Sequence, residues 1–224
     1  MFLIFLRSQS APRKKMAQKI IIGLLGETGS GKDTVAKYLE EKYGAKLMRF
    51  ADPIKDTLSI YFDKLSKEDQ AWLYLVFKNR FGEDILSKAM AKRVDDEKNQ
   101  LLVINGVRMP SDYDFVKKYP NSQVLYITAS EKTRWQRVTS RGEKSDDNID
   151  IEKFRKLDQE ETEIHVPVIG AKADKTIHNE KDLDYLLNEV DQYMKELGLE
   201  KHSNDIEVNE VKEEHLIIGK LPMF

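Results

Sequence analysis

The sequence predicts a three-layer α/β fold, in which a five-stranded parallel sheet is flanked by helices. The first observation is alternation, because short apolar runs typical of buried strands are separated by segments with apolar residues at helical spacing. The second is a glycine-rich loop, GETGSGKD, which joins the first apolar run to the first helical segment. Neighbouring parallel strands need such crossover helices, since both strands run in the same direction.

The first half of the chain contains three of the predicted strands. They cover residues 19–25, 46–50 and 101–104. The helix after the first strand should end at Gly44, since glycine readily adopts the left-handed conformation of a helix C-terminus. Asp52 and Pro53 are typical of an N-cap and a first helical turn. From 53 to 99 the pattern is helical and rich in charge, with a break at Gly82.

The second half continues the alternation until the chain changes character. Strands are predicted at 123–128 and 174–178, helices at 110–119, 131–141, 151–163 and 181–197, and a polar loop at 142–150. We expect residues 19–197 to form one domain. We interpret 1–18 as a disordered leader and 198–224 as a tail, because neither follows the periodic pattern.

Composition excludes several classes of function. The 224 residues include 37 Lys and Arg against 39 Asp and Glu, so there is no basic excess to indicate a nucleic-acid partner. The absence of cysteine excludes disulfides and thiolate catalysis. No apolar run approaches the ~20 residues that a membrane helix needs. We therefore expect a cytoplasmic protein with no membrane or nucleic-acid partner, and the sequence leaves its oligomeric state open.

The loop from Gly26 to Asp33 matches the phosphate-binding pattern G-x-x-x-x-G-K-[ST] except at its last position. Its glycines allow the backbone to wrap a phosphate, and its N–H groups would face the anion at a helix N-terminus. Lys32 is expected to bridge the β- and γ-phosphates of ATP. A plain glycine turn before a helix is the alternative. The candidate nucleotide-binding residues are Gly26, Glu27, Thr28, Gly29, Ser30, Gly31, Lys32, Asp33 and Thr34.

Two positions depart from the usual magnesium-binding pattern together. Asp33 stands where a hydroxyl is expected, and Asn105 ends the third predicted strand, where an acidic residue is expected. The two should lie close together, beyond the ends of the first and third strands. They still offer one carboxylate and one neutral oxygen, which suffices for Mg²⁺ because this ion keeps several waters. We predict a Mg²⁺ site at Asp33 and Asn105. The alternative is that Asp33 only caps the helix.

With these motifs the chain resembles P-loop small-molecule kinases of the nucleoside monophosphate kinase group. GSGKD resembles the loop of some viral deoxynucleoside monophosphate kinases and of animal-type phosphomevalonate kinases. VINGVRMPSDYDFVKKY, YITASEKTRWQRVTSRG and ADKTIHNEKDLDYLLNEV resemble dephospho-CoA kinases and an archaeal nucleotide-kinase-like family. The resemblance covers about residues 19–197. It implies a P-loop NTPase fold, an acceptor-binding region near 52–100 and a lid near 137–150.

The resemblance also suggests roles for four charged residues. Arg134, Arg137 and Arg141 lie on one helix face, and the last two match arginines that clamp the triphosphate in related kinases. Arg108 matches an acceptor-binding arginine, whose planar fork suits phosphate oxygens. Asp52 stands where dephospho-CoA kinases carry an aspartate near the acceptor hydroxyl, as a base or a positioning group. The alternatives are solvated basic residues and, for Asp52, a helix N-cap.

These patterns predict an ATP-dependent kinase that transfers the γ-phosphate to a small nucleotide-type acceptor. The GKD loop and the long helical insert favour a (deoxy)nucleoside monophosphate, whereas the second half and Asp52 favour a dephospho-CoA-like ribose hydroxyl. A nucleotide-hydrolysing switch, from a different class, is also compatible with the loop. The predicted catalytic residues are Lys32, Asp52, Arg108, Arg137 and Arg141, with ATP and Mg²⁺ as cofactors.

Overall fold

The computed structural model describes residues 19–141, 150–160 and 163–202. The predicted leader, most of the predicted lid and the tail beyond 202 lie outside these ranges. The strands are β1 Ile20–Leu25, β2 Lys46–Met48, β3 Leu101–Val107, β4 Ser122–Thr128 and β5 Lys175–His178. They form one sheet in the order β2-β3-β1-β4-β5, and all neighbouring strands are parallel. The predicted five-stranded parallel sheet is confirmed.

Helices connect these strands and cover the sheet. They are α1 Lys32–Tyr43, α2 Asp52–Ser59, α3 Lys67–Phe81, α4 Ile85–Asp96, α5 Pro110–Lys117, α6 Glu131–Arg141, α7 Ile151–Asp158, α8 Val166–Gly170 and α9 Leu183–Glu196. In the described part of the chain, none of them has the length and apolar character to cross a membrane.

The core consists of two apolar clusters, one on each face of the sheet. Alternate residues of a strand point to opposite faces, so Ile22 of β1 packs with α1 and α9, whereas Ile21 packs with α4 and α5. Both side chains are fully buried. Burial on both faces explains the uninterrupted apolar run IIIGLL and gives the three layers predicted. Because β1 pairs with both β3 and β4, the loop after it emerges at the centre of the sheet.

The boundaries of β3 differ from the expectation. The strand continues to Val107, so Asn105 lies within it instead of ending it. Pairing with β1 continues across a register shift between Leu24 and Leu25, and Gly106 has a φ of 85° beside this shift. Glycine adopts such a conformation without the steric cost that a side chain would add.

The helical regions differ in three places. The predicted break at Gly82 is present, but a second break separates α2 from α3. The helix predicted at 151–163 ends at Asp158, and the short α8 follows. Its Gly170 packs so closely on Tyr126 that a Cβ would clash with the ring. Sequence periodicity did not indicate α8, because a five-residue helix is shorter than the window over which periodicity is visible.

Contacts with the domain continue beyond the predicted boundary at 197. Leu199 packs against the α1–α9 cluster, and the backbone N–H of His202 donates to the carbonyl of Lys42 at 2.8 Å. The ammonium of Lys201 lies 2.6 Å from the carboxylate of Asp191. The first residues assigned to the tail therefore belong to the packed domain.

Candidate functional site

The glycine-rich loop joins β1 to α1 at the carboxyl end of the central strand. Gly29 and Gly31 have φ values of 81° and 99°, which disfavour any side chain. A Cβ on Gly29 would lie 2.6 Å from the carbonyl oxygen of Arg134, and one on Gly31 would lie 2.6 Å from Nδ2 of Asn179. A side chain at either position would therefore clash with a neighbouring element, with α6 at Gly29 and with Asn179 at Gly31. This steric reason for the glycines adds to the phosphate contact inferred from the sequence.

Asn179, which immediately follows β5, supports the loop and was not identified from the sequence. Its side chain is 4% exposed, and its Nδ2 donates to the carbonyl of Ser30 at 2.8 Å. Its own backbone N–H donates to the carbonyl of Thr128 at 2.7 Å. A short polar residue directly after a strand is the local signal that could have indicated it.

Arg134 of α6 holds the loop at Thr28, whereas Asn179 holds it at Ser30. Its guanidinium donates to the carbonyl of Thr28 at 3.1 Å and to both carboxylate oxygens of Asp158, at 2.9 and 2.5 Å. It also lies over the ring of Phe154, 5.3 Å from the centroid. Burial lowers the pKa of Arg134, but Asp158 more than offsets this and raises it overall. Arg134 therefore shares a helix face with Arg137 but has a different role, since it ties the loop to α7.

Glu163 is the acidic residue at this site that sequence reasoning missed. It is 5% exposed, and its Oε1 lies 2.5 Å from Nη1 of Arg108. Burial raises the pKa of Glu163, while Arg108, Lys32 and the backbone N–H of Thr28 act in the opposite direction. The loop lysine and the predicted acceptor-binding arginine therefore approach the same carboxylate.

Asp33 and Asn105 lie together, as their positions predicted. Nδ2 of Asn105 donates to Oδ1 of Asp33 at 2.7 Å, while Oδ2 of Asp33 lies 4.0 Å from Nζ of Lys32. The Asp33 side chain is 61% exposed. The N-cap of α1 is Gly31, so Asp33 is not the N-cap residue itself. Asp33 stands in the first turn, where the helix dipole favours an acidic side chain, as the alternative expects.

These two side chains fit a magnesium site in composition. Asp33 offers a solvent-exposed carboxylate, and the buried Oδ1 of Asn105 has no hydrogen-bond partner among the described residues. Hard oxygens and access to water are what Mg²⁺ requires. The amide nitrogen, however, faces Asp33 and would orient its carboxylate.

Three other predicted site residues have separate environments. Nη2 of Arg137 donates to the carbonyl of Lys181 at 3.1 Å, which places Arg137 beside the segment after β5. Arg141 is the last residue of α6, and its side chain lies outside the described atoms. Asp52 is the first residue of α2 after the N-cap Ala51, so the N-cap expectation is off by one residue.

The carboxylate of Asp52 closes a local turn. Its Oδ2 accepts from the backbone N–H of Arg49 at 2.6 Å. Asp52 also lines a polar cavity of about 420 Å³ beside the edge strand β2, together with Asp56 and Arg93. The described contacts do not bring it to the phosphate loop.

Unpaired polar atoms concentrate around the loop. In the described ranges, five buried side-chain polar atoms lack a hydrogen-bond partner: Glu27 Oε2, Ser30 Oγ, Asn105 Oδ1, Arg137 Nη1 and Glu163 Oε2. Glu27 and Ser30 belong to the loop, and the others contact it directly or through Asn179. An unpaired buried polar group costs about 1–3 kcal/mol, so this concentration indicates a place that binds a polar ligand.

The sequence of this chain is similar to a known domain family and to several archaeal proteins. Residues 22–164 match the family described as an AAA domain. A UPF0200 protein of Methanothermobacter thermautotrophicus is 24% identical over 180 residues, which cover 80% of this chain and 91% of that protein. A UPF0200 protein of Sulfurisphaera tokodaii is 26% identical over 179 residues, covering 79% and 97%.

Solved structures share the fold. TT1252 from Thermus thermophilus superposes with a TM-score of 0.57 at 16% identity, covering 80% of this chain and 98% of that one. Shikimate kinase from Acinetobacter baumannii, in complex with shikimate, has a TM-score of 0.50 at 16% identity, covering 81% and 96%. At these identities the likeness concerns the fold alone. Together with the family match, it confirms the predicted P-loop NTPase fold.

Proposed function

The chain belongs to the AAA domain family, and on that premise we propose that it is an ATP-dependent kinase acting on a small nucleotide-type acceptor. A (deoxy)nucleoside monophosphate is the acceptor we favour. The observation that carries the proposal is the glycine-rich loop at the N-terminus of α1, with the cationic side chains of Lys32, Arg108 and Arg137 nearby. Among the unpaired buried atoms around it, Nη1 of Arg137 and the hydroxyl of Ser30 can donate to a phosphate. A bound polyphosphate would supply acceptor oxygens to these cations and to the loop N–H groups.

The donor side of the reaction is assigned to the loop and α6. Loop N–H groups and Lys32 would hold the β- and γ-phosphates, where preorganised positive charge stabilises the transferring group. The unpaired Nη1 of Arg137 would donate to the triphosphate, and the resemblance implies the same role for Arg141, the last residue of α6. Asp33, oriented by Asn105, would hold Mg²⁺, which neutralises charge on the phosphate oxygens.

The acceptor side is assigned to Arg108. Its partner Glu163 is buried and lies close to Lys32, so this pair would connect the acceptor phosphate to the donor loop. A guanidinium is suited to a phosphate acceptor, whereas a ribose hydroxyl would need a base. Asp52 would be that base, but its carboxylate accepts from the Arg49 N–H and its described contacts lie away from the loop. This favours the nucleoside monophosphate.

The cavity beside β2 favours a second candidate acceptor, a dephospho-CoA-like molecule. Because Asp52 lines it, a dephospho-CoA-like molecule that extends along β2 could bring its ribose hydroxyl to this carboxylate. Shikimate kinase, which shares the fold, adds a small non-nucleotide acceptor to the classes worth testing.

A coupled assay of ADP release tests the proposal. The protein, ATP and Mg²⁺ are combined with single nucleoside monophosphates, dephospho-CoA or shikimate, and with no acceptor. We expect turnover that depends on a nucleoside monophosphate and is lost in Lys32→Ala. Turnover with dephospho-CoA, lost in Asp52→Asn, would support the second acceptor. Equal ADP release with and without acceptor would contradict a kinase and support a nucleotide-hydrolysing switch.

A further inference from the structure

One helix of the insert is scarcely covered by the rest of the domain. α3 spans fifteen residues and contains no buried residue. One side of it is half-buried against α2 and α4, and the opposite side faces solvent. On that outward side Trp72, Leu75 and Val76 are 64%, 51% and 41% exposed. Their i, i+3, i+4 spacing makes them a continuous apolar stripe, which we call the α3 face.

The connection that precedes α3 adds more apolar surface. Ile60, Tyr61 and Phe62 are 74%, 74% and 56% exposed. With the α3 face, these side chains present on the order of several hundred Å² to water. Exposed patches of that size are uncommon on a monomer and mark interaction surfaces.

Charge along the α3 face has a twofold pattern. Glu68 lies at its N-terminal end and Arg80 at its C-terminal end, equally far along the sequence from Tyr74. Trp72 and Val76 are also equally far from Tyr74. Within the described ranges neither Glu68 nor Arg80 has an ion-pair partner. An identical helix packed antiparallel about an axis at Tyr74 would therefore place Glu68 opposite Arg80 twice, and Trp72 opposite Val76 twice.

We propose that the α3 face is the interface of a homodimer, in which two copies of α3 pack antiparallel. The apolar stripe would supply the buried centre, and the two Glu68–Arg80 pairs would form the polar rim and select the antiparallel direction. Antiparallel packing also aligns the helix dipoles favourably. A second copy fits this surface better than an unrelated partner because the charge pattern is complementary to itself.

Analytical ultracentrifugation of the full chain tests this proposal. Over about 1 to 100 µM, a range that spans micromolar affinities, we expect a dimer that dissociates on dilution. Glu68→Lys or Arg80→Glu alone creates two like-charge contacts by symmetry, and each should weaken association at least ~10-fold. The double variant restores both pairs in reverse and should recover most of the wild-type affinity. Leu183→Glu alters another exposed apolar residue, on α9, and is the matched control.

Trp72 gives an independent readout. Replacing the second tryptophan, Trp135, by Phe leaves Trp72 as the sole tryptophan. Its fluorescence should shift to longer wavelength on dilution, as the interface opens to water. A protein that stays monomeric throughout would overturn the proposal. A dimer whose affinity does not change in the charge-reversal variants would also overturn it. If that dimer is lost when residues 203–224 are deleted, the interface belongs to the C-terminal segment of the chain instead.

Discussion

The phosphate loop and the helical insert differ in how strongly the rest of the domain holds them. The loop is held on several sides, by Arg134 at Thr28, by Asn179 at Ser30 and by Asn105 at Asp33. The insert, α2 to α4, contributes only a few side chains to the core, and its middle helix contributes none. The loop region therefore has its geometry set before any ligand arrives, whereas the insert presents surface.

This difference separates two requirements of the proposed reaction. Electrostatic stabilisation of a transferring phosphate depends on groups that are already oriented, which is what buried ion pairs and hydrogen bonds around the loop provide. Choice of acceptor or partner depends on exposed side chains, which can change without disturbing the core. Within the insert, Met90 and Val94 of α4 pack against the sheet, while α3 makes its main contacts with the two neighbouring helices.

The largest expected effect is on stability, from opening the buried ion pair behind the loop. Asp158→Ala leaves the guanidinium of Arg134, whose side chain is 7% exposed, without its charged partner. Removing one member of such a pair costs about 3–5 kcal/mol in the free energy of unfolding. The insert provides the control, since Arg93 and Asp56 form a more exposed pair and Asp56→Ala should cost at most ~1 kcal/mol. If urea unfolding gave equal losses of unfolding free energy for both variants, the loop would not be held more strongly than the insert.

The next effect is on catalysis. Lys32→Ala removes a charge that would follow the γ-phosphate into the transition state, and we expect kcat to fall at least ~10²-fold. Lys92→Ala in the insert, where the ammonium pairs with Asp96 at 3.0 Å on an exposed helix face, should leave kcat unchanged. Both are measured by steady-state ADP release with the acceptor found in the screen. Near-normal turnover of Lys32→Ala would exclude the loop as the catalytic centre.

A smaller effect tests whether Asp33 and Asn105 share a magnesium ion. Asp33→Ser should lower turnover and weaken its dependence on magnesium. Adding Asn105→Asp should restore part of the loss, because one hydroxyl and one carboxylate are then present again. We expect a coupling of about 1 kcal/mol between the two changes in the magnesium dependence of kcat, since the two side chains contact each other and would share the ion. The matched cycle between Asp56 and Arg93 in the insert should show no effect on magnesium dependence. Strict additivity at Asp33 and Asn105 would leave no shared metal role.

The smallest effect concerns pH and distinguishes a buried from an exposed carboxylate. Burial raises the pKa of Glu163 above its ordinary value of 4.5. The folded protein thus retains a proton that the unfolded chain has lost, and stability falls as pH rises from 4.5 through the raised pKa. Glu163→Gln removes this loss, so its stability relative to wild type should increase from pH 4 to 7.

Glu97, which follows α4, provides the opposite case. The backbone N–H groups of Asn99 and Lys98 lower the pKa of Glu97, so its contribution is present at neutral pH and lost as pH falls through the lowered pKa. Glu97→Gln should therefore lose stability relative to wild type as pH rises. Thermal unfolding across this pH range measures both trends, and slopes of the same sign would contradict the assignment.

Much of the phosphate loop and the elements next to it could be predicted from the sequence. The distant residues that support the loop could not. The end of α1 and the bounds of α6 agree with the expectation, and so do the position of the glycine-rich loop and the proximity of Asp33 to Asn105. Asn179 and Glu163 were missed, because each meets the loop across a long stretch of chain. For the insert, helical periodicity was visible, but not which face of α3 would stay exposed.

By itself, the sequence determined the strands, the helices around the loop and the glycines that the loop requires. These follow from short-range effects, namely side-chain periodicity and the steric limits on backbone angles. Only the tertiary structure decided that Arg134 connects the loop at Thr28 to Asp158, and that Glu163 pairs with Arg108 beside the loop. Such pairings depend on which buried groups meet across the sheet. A charged side chain in the interior is stable only beside its partner, and its distance along the chain does not indicate that partner.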